Sequence, residues 1–137
     1  MPFEPHSSAN FLKSAKPTEQ TVLRGRYGAI KGGDYEALHE LIADNAEFSV
    51  GGFEPMNGTW HGRTHAVEAV RRNFGLVKNQ KPEVESIVSS RGEIAVLLRE
   101  EGVLLKTGEP YSVRCARWFT FDGGKLRKFE QICAVAR

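Results

Sequence analysis

Hydrophobic and polar residues alternate along two segments in the last third of the chain, residues 111–121 and 125–135. Because successive side chains of a strand point to opposite faces, this alternation predicts a β-hairpin that turns at residues 123–125. Arg117 interrupts the hydrophobic row on one face of the first strand. A guanidinium group is costly to bury alone, so we expect a polar side chain, water or a ligand to meet Arg117. The rest of that row is Val113, Cys115, Phe119 and Phe121.

One register of this hairpin pairs compatible side chains on both faces. Gln131 then lies opposite Arg117 and satisfies part of the guanidinium, while the outer face offers apolar area for a dimer contact. A bulge would reverse the parity and turn Arg117 outward. The predicted pairs are Arg117 with Gln131, Cys115 with Cys133, Phe119 with Phe129, Trp118 with Glu130 and Ala116 with Ile132.

The first half of the chain shows helical spacing instead of alternation. Residues 1–17 lack periodicity and predict a flexible N-terminal tail, so residues 18–137 form a single domain. Tyr27 lies on the apolar stripe of the first predicted helix, and Arg26 lies inside that stripe. The three helices begin at the N-caps Thr18, Asp34 and Thr64, and the second and third end near Ala43 and Gly75.

Strand-like segments make up most of the remainder. Gly102 interrupts one of them and predicts a bulge. Three helices followed by largely antiparallel strands indicate an α+β fold, with a curved sheet folded over the N-terminal helices and a cavity between them. The predicted strands are residues 46–50, a fragment near Trp60 in the loop 51–62, residues 84–89, 94–101 and 103–106, and the final hairpin.

Composition narrows the function classes. The 137 residues include 19 Lys and Arg against 17 Asp and Glu, a formal net charge of +2 that gives little support for nucleic-acid binding. No apolar run reaches the roughly 18 residues that span a membrane, and the N-terminus lacks the pattern of a signal peptide. We therefore expect a cytoplasmic protein with neither nucleic-acid nor membrane partners.

The cysteines and histidines carry little signal for a metal site. Cys115 and Cys133 lack Cys-x-x-Cys spacing, so neither a disulfide framework nor a zinc site is predicted, and reduced core thiols are expected. His61, beside Trp60, is the best histidine for proton transfer, with a surface position as the alternative. We expect no metal and no cofactor.

Four segments combine helix caps, turns and core positions: Tyr27-Gly-Ala-Ile-Lys-Gly-Gly-Asp34, Leu41-Ile-Ala-Asp-Asn-Ala-Glu-Phe48, Gly62-Arg-Thr-His-Ala-Val67 and Phe119-Thr-Phe-Asp-Gly-Gly-Lys-Leu126. Together they resemble the nuclear transport factor 2-like superfamily, and within it the SnoaL-like and ketosteroid isomerase-like small proteins. The resemblance covers residues 19–135. It implies a cone-shaped sheet whose mouth admits a small, mostly apolar molecule, and a homodimer formed through the outer sheet face.

The same resemblance implies which side chains face the cone. Tyr27 and Trp60 are further candidates to contact a ligand. The lining carried over is Val113, Cys115, Arg117, Phe119, Phe129, Gln131 and Cys133, with Val22, Arg26, Phe48 and Val50.

The resemblance does not extend to the catalytic residues. Isomerases of this kind use a tyrosine, a carboxylate base and a protonated acid at the positions that Arg26, Val50 and Arg117 occupy here. Neither valine nor arginine performs those proton transfers. The cyclases carry aspartates where this chain has Arg117 and Gln131, and an amide does not shuttle protons at neutral pH.

Three functions remain open. In the first, Arg117, helped by Arg26, binds the carboxylate, enolate, phenolate or carbonyl group of a small hydrophobic ligand. In the second, the protein is an isomerase, lyase or cyclase acting on a polyketide-like or steroid-like substrate, with His61 or Glu130 as the acid/base group. In the third, it is a protein-interaction module that uses the outer sheet face. A structural role for Arg117, paired with Glu47 or Glu130, is the alternative to a ligand role.

Overall fold

The computed structural model describes residues 34–135, which form one curved sheet with helices packed against it. The predicted tail, the helix that Thr18 begins, and the pocket candidates Val22, Arg26 and Tyr27 lie outside the described residues. In chain order the elements are α1 (Tyr35–Glu40), β1 (Ile42–Gly51), a short 3-10 helix (Glu54–Met56), β2 (Gly58–His61), α2 (Arg63–Phe74), β3 (Val77–Ser90), β4 (Glu93–Leu104), β5 (Pro110–Asp122) and β6 (Lys125–Val135).

The sheet has six strands in the order β2-β1-β6-β5-β4-β3. Every neighbouring pair is antiparallel except β1 and β6, which run parallel. Helix α2 contributes Val67 and Val70 to the core, where they join inward side chains of the sheet such as Phe48 and Phe119. The predicted α+β architecture is confirmed. Within the part of the chain that the structure describes, no helix is long and apolar enough to cross a membrane.

The β5–β6 hairpin has the predicted register, with Arg117 opposite Gln131. Gly123 and Gly124 form its two-residue turn at φ 58° and 79°, conformations that glycine adopts without strain. A bulge beside Thr120 lies near the turn and leaves the parity of Arg117 unchanged. The other predicted pairs, Cys115 with Cys133, Phe119 with Phe129, Trp118 with Glu130 and Ala116 with Ile132, are also present.

Helix α1 is shorter than predicted. Asp34 caps it as expected, accepting a hydrogen bond from the backbone N–H of Ala37 at 3.0 Å. The helix ends at Glu40 rather than near Ala43, because Ile42 already pairs with β6 in the sheet. Sheet pairing therefore overrides the helical spacing of the last few residues.

Helix α2 begins two residues earlier than predicted, where Thr64 was the expected N-cap. Its N-cap is Gly62, at φ 88°, a conformation that favours glycine over threonine. Gly75 ends the helix as predicted, donating its N–H to the carbonyl of Arg71.

The strands β3 and β4 are longer than the alternation suggested, and Gly102 does not form a bulge in β4. The irregularity lies instead on the partner strand β3, between Lys78 and Lys81, where Asn79 adopts φ 56°. Gly102 has a different role. A Cβ atom there would lie 2.6 Å from the ring of Tyr111, so the glycine provides the space for that ring.

Candidate functional site

Arg117 lies on the inner face of β5, with 11% of its side chain exposed. Its Nε donates a hydrogen bond to Oε1 of Gln131, across the hairpin on β6, at 2.7 Å. Its Nη2 lies 3.2 Å from Oε1 of Glu100 on β4, which forms a buried ion pair. The guanidinium therefore meets polar partners from both neighbouring strands.

Glu100 is the residue of this site that sequence reasoning missed. It is 5% exposed and continues the inward row of β4 after Ile94, Val96 and Leu98. Residues two apart on a strand share a face, so this alternation was the available signal. The direct cross-strand neighbour of Arg117 is Val96, and Glu100 lies four residues farther along β4. The pairing was missed because the two residues meet only through the length of their side chains.

Three donors surround the Glu100 carboxylate. Besides Arg117, the Tyr111 hydroxyl donates a hydrogen bond to Oε2 at 2.7 Å, and Nε2 of Gln80 donates one at 3.3 Å. Gln80 lies within the irregularity of β3, between Lys78 and Lys81. Bulges of this kind redirect side chains, and here the Gln80 side chain reaches Glu100. Burial, with the negative charge of Glu100 next, raises the pKa of Tyr111, so its phenol stays protonated and donates to Glu100.

A cavity of about 50 Å³ lies beside this polar cluster. That volume holds a few water molecules and is well below the roughly 300–1,000 Å³ typical of pockets for drug-sized ligands. Its polar wall consists of Asn73, Gln80, Glu100, Arg117 and Gln131. Apolar side chains of the 3-10 helix region, α2 and the sheet complete the lining, among them Phe53, Met56, Val70, Phe74, Cys115 and Phe129.

The two thiols lie next to the same cluster. Sγ of Cys115 is 2.8 Å from Sγ of Cys133, and Nε2 of Gln131 donates a hydrogen bond to Cys133 at 3.2 Å. Both cysteines are free and buried. The hydrogen bond between the sulfurs lowers the pKa of Cys133, helped by Gln131 and the Arg117 charge, and the same contact together with burial raises the pKa of Cys115.

The structure places the remaining predicted pocket residues in three settings. Val113, Cys115, Arg117, Phe129 and Gln131 line the cavity. Phe119, Val50 and Cys133 belong to the hydrophobic core behind that lining, and Phe119 is fully buried. Trp60 lies on β2, half-buried, with the Arg72 guanidinium 5.9 Å from the centre of its ring.

The two acid/base candidates, His61 and Glu130, lie away from the cavity. Glu130 is on the outer sheet face, 2.9 Å from Nζ of Lys128, because the parity of β6 is the predicted one and not its reverse. His61 has 73% of its side chain exposed and lies 3.7 Å from Glu47. The carboxylate that Arg117 meets is thus Glu100, in place of the expected Glu47 or Glu130.

His61 borders an open groove at the start of α2, together with His39, Arg63 and His65. His65 interacts through Nδ1 with the carbonyl of His61, and Arg63 pairs with Asp44. Within residues 34–135, no three His, Cys, Asp or Glu side chains are arranged to hold a metal ion.

Solved structures share this architecture at low sequence identity. An NTF2-like protein from Burkholderia xenovorans has a TM-score of 0.77 and 16% identity, over 88% of this chain and 92% of that one. A protein of Catenulispora acidiphila with a ketosteroid isomerase-like fold, in complex with trimethylamine, has a TM-score of 0.63 and 14% identity, over 80% and 82% of the two chains. TerC, co-crystallised with polyporic acid, has a TM-score of 0.66 and 16% identity, over 84% and 90%.

A search of curated proteins finds no match. A family model for the SnoaL-like domain matches residues 23–129, which include Glu100, Tyr111 and Arg117. The matched segment and the shared architecture agree with the resemblance found in the sequence. The chain belongs to the SnoaL-like domain family, within the nuclear transport factor 2-like superfamily.

Proposed function

We propose that the cavity binds the polar end of a small, largely apolar molecule through Arg117. The observation that carries this proposal is a guanidinium held on the wall of a cavity whose other lining is mostly apolar. Carboxylate, enolate, phenolate and carbonyl oxygens are the acceptors that a guanidinium binds best. Gln131, which accepts from Arg117 at 2.7 Å, holds the guanidinium in place for that contact.

To bind a ligand, Arg117 must exchange one of its present hydrogen-bond partners for a ligand oxygen. The 3.2 Å contact of Arg117 with Glu100 is longer than the roughly 2.7–2.9 Å of strong charge-assisted hydrogen bonds, and Glu100 keeps two other donors when it is lost. A ligand oxygen therefore displaces Glu100 from Arg117 more readily than it displaces Gln131. The apolar part of the ligand gains space when Met56, an adaptable side chain, and the half-buried Phe74 move.

The fold alone does not select the charge of a ligand. The similar Catenulispora structure contains trimethylamine, whereas TerC was co-crystallised with polyporic acid. In this chain the cavity contains Arg117, whose positive charge favours an electron-rich oxygen, and Glu100, whose negative charge weakens binding of a full anion.

Calorimetric titration with benzoate and its neutral amide, benzamide, tests the proposal. Because Arg117→Met strands the Glu100 carboxylate and threatens folding, Arg117→Met is made together with Glu100→Gln, and its affinities are compared with those of Glu100→Gln alone. A charge-assisted contact of about 1.5–3 kcal/mol corresponds to a roughly 10- to 150-fold weaker benzoate affinity, with benzamide changed much less. Arg114→Met, an exposed arginine on the same strand, is the matched control. Equal loss of both probes, or no binding of either probe to the unchanged protein, would overturn the proposal.

A second candidate function is proton transfer by Glu100, as in an isomerase, lyase or cyclase. The observation that favours it is a carboxylate on the cavity wall, hydrogen-bonded to the Tyr111 phenol, where the sequence had indicated none. A carboxylate in such a position can act as a general base. If so, Glu100→Gln abolishes turnover of an identified substrate and preserves its binding, whereas an unchanged turnover rate excludes this role.

We also propose that the outer sheet face forms a homodimer. Trp118 on β5 and Ile132 on β6 are diagonal neighbours on that face and are 48% and 66% exposed, and Val88 on β3 is 66% exposed. Exposed apolar area of this kind marks interaction sites. Light scattering should give twice the chain mass for the unchanged protein and the chain mass for Ile132→Glu. Leu105→Glu, an exposed position outside the strands, is the control.

A further inference from the structure

Cys115 and Cys133 lie directly opposite each other on β5 and β6, with their sulfur atoms 2.8 Å apart. We propose that they are a redox-active pair, which a small hydroperoxide converts from two thiols to a cross-strand disulfide and a dithiol reductant converts back. This activity needs no ligand at Arg117 and is independent of the function proposed above.

The spacing of the two strands allows the bond. Directly opposed residues of an antiparallel pair have Cα atoms roughly 4.5–5.5 Å apart, within the range of about 4.4–6.8 Å that disulfides span. Forming the bond requires the two sulfurs of Cys115 and Cys133 to approach by only about 0.8 Å, from 2.8 Å to the S–S bond length. Side-chain rotation provides that movement, so no change of strand register is needed.

The surroundings of the two thiols differ, so that one is the nucleophile and the other stays protonated. Cys133 accepts a hydrogen bond from Nε2 of Gln131, which Cys115 does not, and Arg117 adds a positive charge nearby, so the Cys133 thiolate is stabilised. Cys115 is 1% exposed and keeps its proton. Since the thiolate is the reactive form, Cys133 attacks first and Cys115 resolves the product.

Access favours a small oxidant. Cys115 lines the cavity of about 50 Å³, and Cys133 lies behind that lining, with Sγ 2.8 Å from Sγ of Cys115 and 7% of the residue exposed, so only a small molecule reaches it. Hydrogen peroxide, which is little larger than two water molecules, fits a space of that size. A bulky disulfide such as oxidised glutathione does not, and thiol exchange with it requires direct contact of sulfur atoms. The chemical class of the oxidant is therefore a small hydroperoxide.

The reaction balances in two steps. The Cys133 thiolate attacks one peroxide oxygen, the O–O bond breaks, and the departing hydroxide takes a proton to become water, leaving Cys133 as a sulfenic acid. The Cys115 sulfur then attacks the Cys133 sulfur. The S–O bond breaks, and the second hydroxide leaves as water with the Cys115 proton. Two thiols and one hydrogen peroxide thus give one disulfide and two waters.

Reversal is expected because a disulfide between directly opposed strand residues is strained. Strained disulfides are the more easily reduced ones, and in reducing compartments such bonds are typically transient. A dithiol such as dithiothreitol attacks one sulfur, forms a mixed disulfide and then closes its own ring, which returns both protein thiols.

Intact-mass measurement after thiol alkylation under denaturing conditions tests the proposal on the full chain. Hydrogen peroxide should give a single-chain species lighter by two hydrogen atoms that takes up no alkyl group, and dithiothreitol should restore two alkylation sites. Cys115→Ser should instead accumulate Cys133 with one added oxygen. Cys133→Ser should leave Cys115 largely unoxidised over the same period, because the stabilised thiolate is gone.

Three results would overturn the proposal. They are two alkylatable thiols after peroxide treatment, a disulfide formed only between chains, and oxidation of the unchanged protein to sulfinic acid without a cross-link. Faster cross-linking by oxidised glutathione than by peroxide at equal concentration would overturn the assigned oxidant class.

Discussion

Gly102 lies beneath the ring of Tyr111, and a Cβ atom at position 102 would come within 2.6 Å of that ring. The hydroxyl of the same tyrosine reaches Oε2 of Glu100 at 2.7 Å. The missing side chain on β4 thus allows an aromatic ring from β5 to cover the strand and hold the carboxylate that pairs with Arg117.

Replacing Gly102 with alanine should therefore destabilise the protein. The ring of Tyr111 and the new methyl group cannot both keep their places, and overpacking of this kind costs about 1–3 kcal/mol. Urea denaturation measures the loss. Gly51→Ala is the matched control, because a Cβ atom at position 51 meets nothing within 4 Å and should change stability by no more than about 0.5 kcal/mol. Equal effects of the two substitutions would contradict the packing argument.

The buried ion pair between Arg117 and Glu100 predicts strong coupling between substitutions of the two residues. Arg117→Met leaves the carboxylate without its positive partner and should cost about 3–5 kcal/mol. Adding Glu100→Gln to that variant removes the stranded charge and should recover part of the loss. Chemical denaturation of both single variants and the double variant gives the coupling energy.

The exposed pair of Arg114 with Glu85, 2.8 Å apart, provides a comparison on the same sheet. Its coupling should be weaker, because water and salt screen a surface pair. Strictly additive effects at Arg117 and Glu100 would show that the two side chains do not interact in solution.

The hairpin was predictable because its two strands impose independent constraints. The Gly123-Gly124 turn fixes the loop, the alternation around Arg117 fixes the face, and only one alignment also places Gln131 opposite that arginine. Local rules were sufficient there, since each pair joins residues that are close along the chain.

The ion partner of Arg117 was not predictable in the same way. Alternation places Glu100 on the inner face, but several carboxylates were compatible with a buried arginine, and the choice depends on how far two long side chains extend along neighbouring strands. Gly102 was misread as a bulge for a related reason. What it accommodates is the Tyr111 ring, which lies on the next strand.

Acid should destabilise the protein by protonating Glu85 on the outer sheet face. Hydrogen bonds from Arg114 lower the pKa of this carboxyl below its ordinary value of 4.5, with Arg99 as the second ionic partner. A carboxyl group whose pKa is lowered by folding stabilises the protein at pH values above its ordinary pKa. This stabilisation is lost as the pH falls through the lowered pKa. The stability of the unchanged protein should therefore fall more steeply below pH 4.5 than that of Glu85→Gln. Thermal melts across this range measure the difference, and parallel curves would contradict it.

Gln131 joins the arginine site to the thiol pair, since its Oε1 accepts from Arg117 while its Nε2 donates to Cys133. Replacing Gln131 with leucine removes a donor that stabilises the thiolate, so the pKa of Cys133 should rise and its oxidation by peroxide at neutral pH should slow. The ultraviolet absorbance of the thiolate as a function of pH measures the first effect, and the rate of thiol loss measures the second. Gln80→Leu is the matched control, because that amide donates to Glu100 and not to sulfur. If the two leucine variants shift the titration of Cys133 equally, the hydrogen bond from Gln131 is not what stabilises its thiolate.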